Sequence, residues 1–548
     1  MNVAELKSFA DFAKKELPDF AKDVVKNYKP RFKLHYDGLG ELFDGKRSLT
    51  RREWKGVKDT AYDFGRWCKL YTMIVKNLVI PAPIQTIEAL LQYRWMVSYL
   101  TAAAFIDRHT LGLTGYELRY CHEQFYAVMQ NSVKMLSDMF VRDINLNGDS
   151  KKAAELRKKT VMLDEMMPTT IMAGFPNLIG IPMQMAPVFE AGEVDQNANI
   201  PYIDIAENYG IAADICPLPA SEVGAILNNE IPIFGDYMIV SSMPCDGSVI
   251  ASMYTEKVLK IPTFQITPPQ RFNEPETLKY AVKNIKAAIK WIEEQTGETW
   301  DWNAFFENCK RHNIETECVI DKWDINCTPY PQICGAALAL HREFEFQIAG
   351  SRDPYFAKND QKVRDLMFKG FEHDKELDIK PKYRAIVWSC PAHYYSNFTF
   401  WAQNCWGIKT LVDMECMLTH HFYDTQDKEK SIEDMTIGYE KMTMRSHSNG
   451  GYVNALDECW KMCEKFDANI VIMYNHVSCK NFGGLQGLFE DQARERGIHL
   501  IWVEHDLMDP RTVSRKSMRD KVNRYMTTVF NEKPLDPSLV DYDDDITW

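Results

Sequence analysis

Three cysteines stand in strings whose composition suits metal chemistry. Cys245 lies in SSMPCDGS, Cys479 in YNHVSCKNFGG and Cys216 in GIAADICPLP. Cys245 follows the apolar run Tyr237 to Val240, and Cys479 follows Ile470 to Met473; both runs read as buried strands. A residue just past the carboxyl end of a parallel strand stands where open α/β sheets hold their ligands. Cys216 precedes two prolines, which predicts a loop. A loop cysteine can turn its sulfur toward a metal; one inside a core strand cannot. Gly247, Gly483 and Gly484 allow the close backbone approach that an iron–sulfur cluster needs when amides donate to its sulfides. None of the three cysteines sits in a CxxC-type signature. Taken singly, each is more simply a small buried hydrophobe, and spacing alone leaves both readings open.

The other candidates carry blander readings beside them. Cys459 and Cys463 are four residues apart on an amphipathic helical pattern, where core packing is the better account. Cys327 and Cys334, in NCTPYPQICG, read as buried thiols. Ser389, His393 and Tyr394 follow a strand ending at Trp388, in WSCPAHYYSN, and Tyr474, Asn475 and His476 precede Cys479. His393, His476 and Ser389 are the candidate catalytic groups, with loop hydrogen bonding the alternative for both histidines. Asp246 is expected to cap the helix after Cys245. Asp509-Pro510-Arg511 reads as a turn and helix start. His420 and His421 are adjacent, so they cannot both face one metal, and are read as structural.

The elements that would position these residues change in kind along the chain. Residues 1 to 165 have helical spacing of apolar residues, as in Ile84 to Leu111, and the polar stretch Asn147 to Lys159 is a loop leading into a helix or a linker. From about 170, Tyr237 to Val240 and Thr263 to Ile266 read as strands, with Ile250 to Leu259 as a crossover helix, which implies a parallel unit. A helix starts at Pro275, with Leu278, Val282, Ile285, Ile289 and Ile292 on one face. Four further strands are expected at Ala385 to Trp388, Thr410 to Val412, Ile470 to Met473 and Leu500 to Val503, and a last helix from Ser514. The fold class is therefore α/β: an N-terminal helical region (1–165), two Rossmann-like parallel-sheet domains (166–375, with Cys216 and Cys245; 376–535, with Cys479) and an acidic, exposed tail (536–548).

Bulk properties narrow the function. The 548 residues carry a net charge of −13 without a basic stripe, which argues against nucleic acid as a partner. No stretch approaches the roughly 20 apolar residues needed to span a bilayer, and the first residues lack the apolar core of a secretory signal. A cytoplasmic location without membrane contact is expected. Fourteen cysteines in such a protein do not suggest a disulfide framework.

The three cysteine strings, in their order, resemble the 2-hydroxyacyl-CoA dehydratase family, which includes the ATP-dependent benzoyl-CoA reductases. The resemblance rests on GIAADICPLPASEVG, DYMIVSSMPCDGS, KIPTFQITPP, NIVIMYNHVSCKNFGG and RGIHLIWVEHDLMDPRTVS, and extends through KYAVKNIKAAIKWIEEQTGETWDWNAFFENCKR and IVWSCPAHYYSNFTFWAQNCWGIKTLVDME. It covers about 175 to 530, and the layout is most similar to the α-type subunit. It implies one 4Fe–4S cluster held between two α/β domains by Cys216, Cys245 and Cys479, with one iron open to substrate. It also implies a homologous second subunit, an acyl-CoA substrate, and a separate ATP-dependent iron–sulfur activator that supplies one electron for ketyl-radical chemistry. The chain has no GxxxxGK[ST] motif of its own, in keeping with ATP chemistry residing elsewhere. The resemblance leaves two alternatives: a benzoyl-CoA-reductase-like subunit, or a relay subunit whose cluster never meets substrate. Two features depart from the family pattern: His505 in Glu504-His505-Asp506, where glycine is common, and the length of the N-terminal helical region.

Overall fold

The computed structural model describes residues 3–23, 57–101, 109–110, 113, 115–143, 150–164, 167, 169–242, 245–267, 269, 274–332, 352–414, 421–441 and 451–541. It contains two four-stranded sheets among many helices. The first sheet comprises β1 (Thr160–Leu163), β2 (Ile179–Pro182), β3 (Tyr237–Ser241) and β4 (Thr263–Ile266), in the order β2-β1-β3-β4. The second comprises β5 (Tyr383–Trp388), β6 (Ile408–Asp413), β7 (Ile470–His476) and β8 (His499–His505), in the order β6-β5-β7-β8. Every pairing is parallel. In each sheet the chain steps outward from the first strand, then crosses back over it to the third. The crevice at that reversal, outside the carboxyl ends of the first and third strands, is where doubly wound sheets bind ligands.

Local sequence explains the elements. The strands are short and β-branched, and β5 and β7 are buried over most of their length, as a sheet covered on both faces requires. The helix Pro275–Thr296 starts with proline in its first turn and stops at Gly297, whose φ of +73° suits glycine. Ser514 caps the helix Arg515–Thr528 by accepting from the Ser517 amide. The polar stretch at 150 forms a helix, Ser150–Arg157.

Three expectations are corrected. First, β1 lies before the expected boundary at 165, and β2 was not foreseen. Each is a four-residue strand, too short for its periodicity to separate it from a helical run. Second, the apolar stretch from Ile84 is broken into a helix ending at Gln92 and a 3-10 segment, Arg94–Thr101. Third, the tail is packed at its start: Leu539 is buried and its carbonyl accepts from Trp401 Nε1 at 2.9 Å. Residues 542–548 lie outside the described residues.

The long helix Gly115–Arg142 is buried along most of its length and serves both sheets. Its Glu117 accepts from Gln403 and Lys409 of the second sheet's layer, at 2.9 Å each. Its Ser132 donates to Glu190, in the layer of the first sheet, at 2.7 Å. Among the described residues no single helix is long and apolar enough to cross a membrane; the apolar pair Cys68–Val79 and Pro83–Gln92 is bent by 101°.

Candidate functional site

Each of the three cysteines occupies a helix N-cap. Cys216 caps Pro217–Leu227, Cys245 caps Asp246–Leu259 and Cys479 caps the single turn Lys480–Gly483. N-cap positions normally take Ser, Thr, Asp or Asn, whose oxygen binds an exposed helix amide. Here none of the three sulfurs makes that capping bond. The backbone alone holds the caps. The Cys245 carbonyl accepts from Val249 at 3.4 Å, and the Cys479 amide closes the turn after β7 by donating to the His476 carbonyl at 2.9 Å. A thiolate at the start of the two longer helices faces the positive end of the helix dipole, which favours the ionised, metal-binding form.

Two contacts draw the segments together. Gly247, in the first turn after Cys245, lies so near Pro219 that an added Cβ would stand 3.1 Å from its Cγ and 3.6 Å from Cys245 Sγ. Lys480, next to Cys479, pairs with Asp214, two residues before Cys216. The three cysteines are partly exposed, whereas Cys121, Cys309, Cys318, Cys390, Cys405, Cys459 and Cys463 are buried. Among the described residues no three His, Cys, Asp or Glu side chains converge on a point that would hold a single metal ion. A cluster does not require such convergence, because each thiolate binds a different iron.

Beside these caps, the two sheets meet through a polar seam. Arg511 forks onto Asp509 and reaches Asp204 Oδ1 at 2.7 Å across the interface. Arg515 donates to the Tyr394 carbonyl and to Gln196. Asp506, at the end of β8, accepts from Ser478 at 2.7 Å and Thr512 at 3.0 Å, and so ties the Cys479 turn to the strand beside it. His476 Nε2 lies 3.1 Å from Asp506 Oδ1, but its direction is too poor for a hydrogen bond. His476 stacks on His505 with centroids 5.4 Å apart. Burial, then the nearby His476 and His393, holds His505 well below the usual imidazole range.

His393 is buried, and its Nδ1 lies 3.0 Å from Glu193 Oε1 of the opposite layer. The Phe189 ring meets it edge-on at 4.5 Å. Burial pushes His393 down to about 3 and raises Glu193 well above the carboxylate range. Burial thus works against charge on both partners, the carboxyl and the imidazole alike. One turn earlier, Glu190 is pushed up to about 8, chiefly by burial. Its hydrogen bonds oppose that shift without cancelling it: Ser132 donates to Oε1 at 2.7 Å and Tyr99 to Oε2 at 2.8 Å. The Tyr99 hydroxyl also lies 2.8 Å from the Ala186 carbonyl. Ser389 follows β5 with φ +74°, fully buried, its Oγ without a hydrogen-bond partner. A serine held in the left-handed region is strained, a feature concentrated at functional sites.

A family model, 2-hydroxyglutaryl-CoA dehydratase, D-component, matches residues 194–526. That is more than half of the chain. The protein belongs to this dehydratase family. A search of curated proteins finds no match. The matched segment holds all three N-cap cysteines, His393, His476 and Ser389, while Glu190 and Glu193 fall just before it.

Other expectations in this family member fall out as follows. Cys459 and Cys463 are buried on the Tyr452–Lys465 helix, and Cys459 is raised by burial and by its hydrogen bond to Cys463. Cys327 ends the Trp302–Asn326 helix and is half-buried; Cys334 lies outside the described residues. His421 pairs with Asp434 at 2.9 Å, a structural use, and His420 lies outside the described residues. Asp246 is not the cap: Cys245 takes that position, and Asp246 stands in the first helical turn. Asp509-Pro510-Arg511 forms a turn, but the helix starts later, at Arg515. Glu190 and Glu193 were missed. Their signal was two acids, three apart, in the otherwise apolar run MQMAPVFEAGEV.

Proposed function

We propose that the chain is a subunit of an oxygen-sensitive iron–sulfur 2-hydroxyacyl-CoA dehydratase, in which Cys216, Cys245 and Cys479 hold one 4Fe–4S cluster. The observation that carries this reading is the set of three partly exposed cysteines at helix N-caps, none engaged in capping, gathered by Gly247–Pro219 packing and the Asp214–Lys480 pair. The donor set fits: three thiols at helix N-caps whose sulfurs make no capping bond, two of them at helix ends that favour thiolate. A cluster with three protein ligands supplies an open iron for an acyl-CoA oxygen.

The chain's own residues set the surroundings. The Asp509–Arg511–Asp204 bridge and the Arg515 contacts lock the two layers in register. The His393–Glu193 pair and Glu190 join the layers, and burial works against charge on all three beside a site that handles an anion. His393 is thus a positioning residue. His476 and Ser389, at the carboxyl ends of β7 and β5, remain the catalytic candidates. The reading includes a homologous partner subunit and a separate ATP-dependent activator that delivers one electron to the thioester, in the cytoplasm.

The test is turnover. With activator, ATP and partner, a panel of 2-hydroxyacyl-CoA thioesters should lose water to give enoyl-CoA. Reduction of aromatic acyl-CoA thioesters without dehydration would instead place the chain among the reductases. Inactivity on both panels would leave only a relay part.

A further inference from the structure

A second cavity lies apart from the cysteine segments. It occupies about 280 Å³ between the outer edge of β2, the Gly115–Arg142 helix and the start of the Pro354–Glu376 helix. β2 is an edge strand, hydrogen-bonded only to β1, so the main-chain groups of its other edge are not used by the sheet. Arg352 lines this cavity. One of its nitrogens, Nη2, donates to the carbonyls of Leu178 at 2.7 Å and Phe175 at 3.3 Å. Nε and Nη1 keep three more N–H donors. No carboxylate pairs with Arg352 among the described residues. The two acids lining the cavity are engaged elsewhere: Asp353 with Lys134 at 2.9 Å and the Tyr355 amide, Asp138 with Arg142 at 3.1 Å. Burial, then the nearby Arg311, lowers the Arg352 guanidinium to about 10. Beside it Thr169 is buried with an Oγ1 that has no hydrogen-bond partner. Asn131 and Lys134 also line the cavity, and Met135, Ile181 and Pro182 give it an apolar side.

A half-buried guanidinium next to another cation, with no carboxylate paired to it among the described residues, is an incomplete arrangement. Its planar fork matches carboxylate and phosphate oxygens. We propose that this cavity binds a small organic anion, headed by a phosphate or carboxylate on Arg352 and the Thr169 hydroxyl, with an apolar body against Met135 and Pro182. The volume admits a headgroup and a short body. The proposal stands whether or not the chain is a dehydratase.

The test is calorimetric titration of the anaerobically purified full chain with adenosine 3′,5′-bisphosphate, inorganic phosphate and succinate. At least one probe should bind. Arg352→Gln should weaken that binding by about tenfold or more, the scale of a lost charge-assisted hydrogen bond, and Arg352→Lys should recover part of it. Thr169→Val, which breaks no internal hydrogen bond, should weaken it several-fold with an unchanged fold. Bisphosphate binding would trace the anion to a coenzyme A thioester; binding of phosphate or succinate alone would trace it to a separate metabolite. No binding of any probe to the unaltered chain, or undiminished binding by both Arg352→Gln and Thr169→Val, would overturn the proposal.

Discussion

Replacing Glu190 by Gln should make the protein more stable at neutral pH and remove the fall in stability that Glu190 causes between about pH 4.5 and 8. Glu190 is fully buried and titrates near 8 in the folded chain, against 4.5 unfolded. A carboxyl raised in this way contributes its full stability below the unfolded value and loses it as pH rises through the folded value. Between those limits the unfolded chain releases a proton that the folded chain retains. At about 1.36 kcal/mol per pH unit, the loss is about 3 kcal/mol at pH 7 and about 4 kcal/mol at pH 8. Glutamine keeps the shape and neutrality. Its carbonyl can accept from Ser132 and its amide can donate to the Tyr99 oxygen, while the Tyr99 hydroxyl donates to the Ala186 carbonyl it already reaches. Urea unfolding, followed by tryptophan fluorescence at several pH values from 4 to 8.5, measures both proteins. The two curves should nearly meet at pH 4 and separate by about 3 kcal/mol at pH 7, the variant being the more stable. All other titrations cancel in the difference. Parallel curves, or a variant less stable at pH 7 than at pH 4, would show that Glu190 is ionised in the folded state and refute the reasoning.

Three further outcomes follow from the same geometry. His393, held near 3 by burial, gives the opposite slope: stability should fall as pH drops below 6.5, by about 2 kcal/mol at pH 5, and His393→Asn should lack that fall in the same unfolding assay. Glu193→Ala should destabilise by about 3 kcal/mol, by leaving the His393 Nδ1 unpaired beside a cavity, whereas Glu193→Gln keeps a donor and loses little, as unfolding midpoints would report. Gly224→Ala would place a Cβ 1.9 Å from the Tyr202 carbonyl, forcing apart the helices that present Cys216. It should cost about 2 kcal/mol or more, while Gly487→Ala, with nothing within 4 Å, serves as a neutral control.

Much of the fold was legible because its signals are local. Tyr237 to Val240, Thr263 to Ile266 and Ile470 to Met473 are apolar, β-branched runs bounded by turn residues, and each is a strand. Pro275 and Ser514 mark helix starts through backbone constraint and capping, whereas Pro217, read as part of a loop, opens a helix. What stayed hidden depends on distant pairings. β1 is a strand because it adds to β3, and β2 because it adds to β1; four-residue runs hold no periodicity. The shared strand order of the two sheets, left open by the sequence, is a property of pairing. Cysteine at the N-cap was equally hard to read: Asp246 is the better intrinsic cap, yet the chain turns one residue earlier and puts Cys245 there without a side-chain capping bond. Glu190 and Glu193 went unread because sequence does not state burial. The cavity at Arg352 arises from segments far apart in the chain, 131–138, 179–182 and 352–354, which no local pattern connects.

The central claim concerns three sulfurs, and iron counts it directly. Anaerobically purified chain should carry about four irons and four acid-labile sulfides, the composition of a 4Fe–4S cluster, with a reduced-state electron paramagnetic signal. Cys216→Ala, Cys245→Ala and Cys479→Ala should each lose most of that iron, while Cys459→Ala keeps it. An iron-free preparation from cells supplied with iron, or full iron retention in the three variants, would contradict the account.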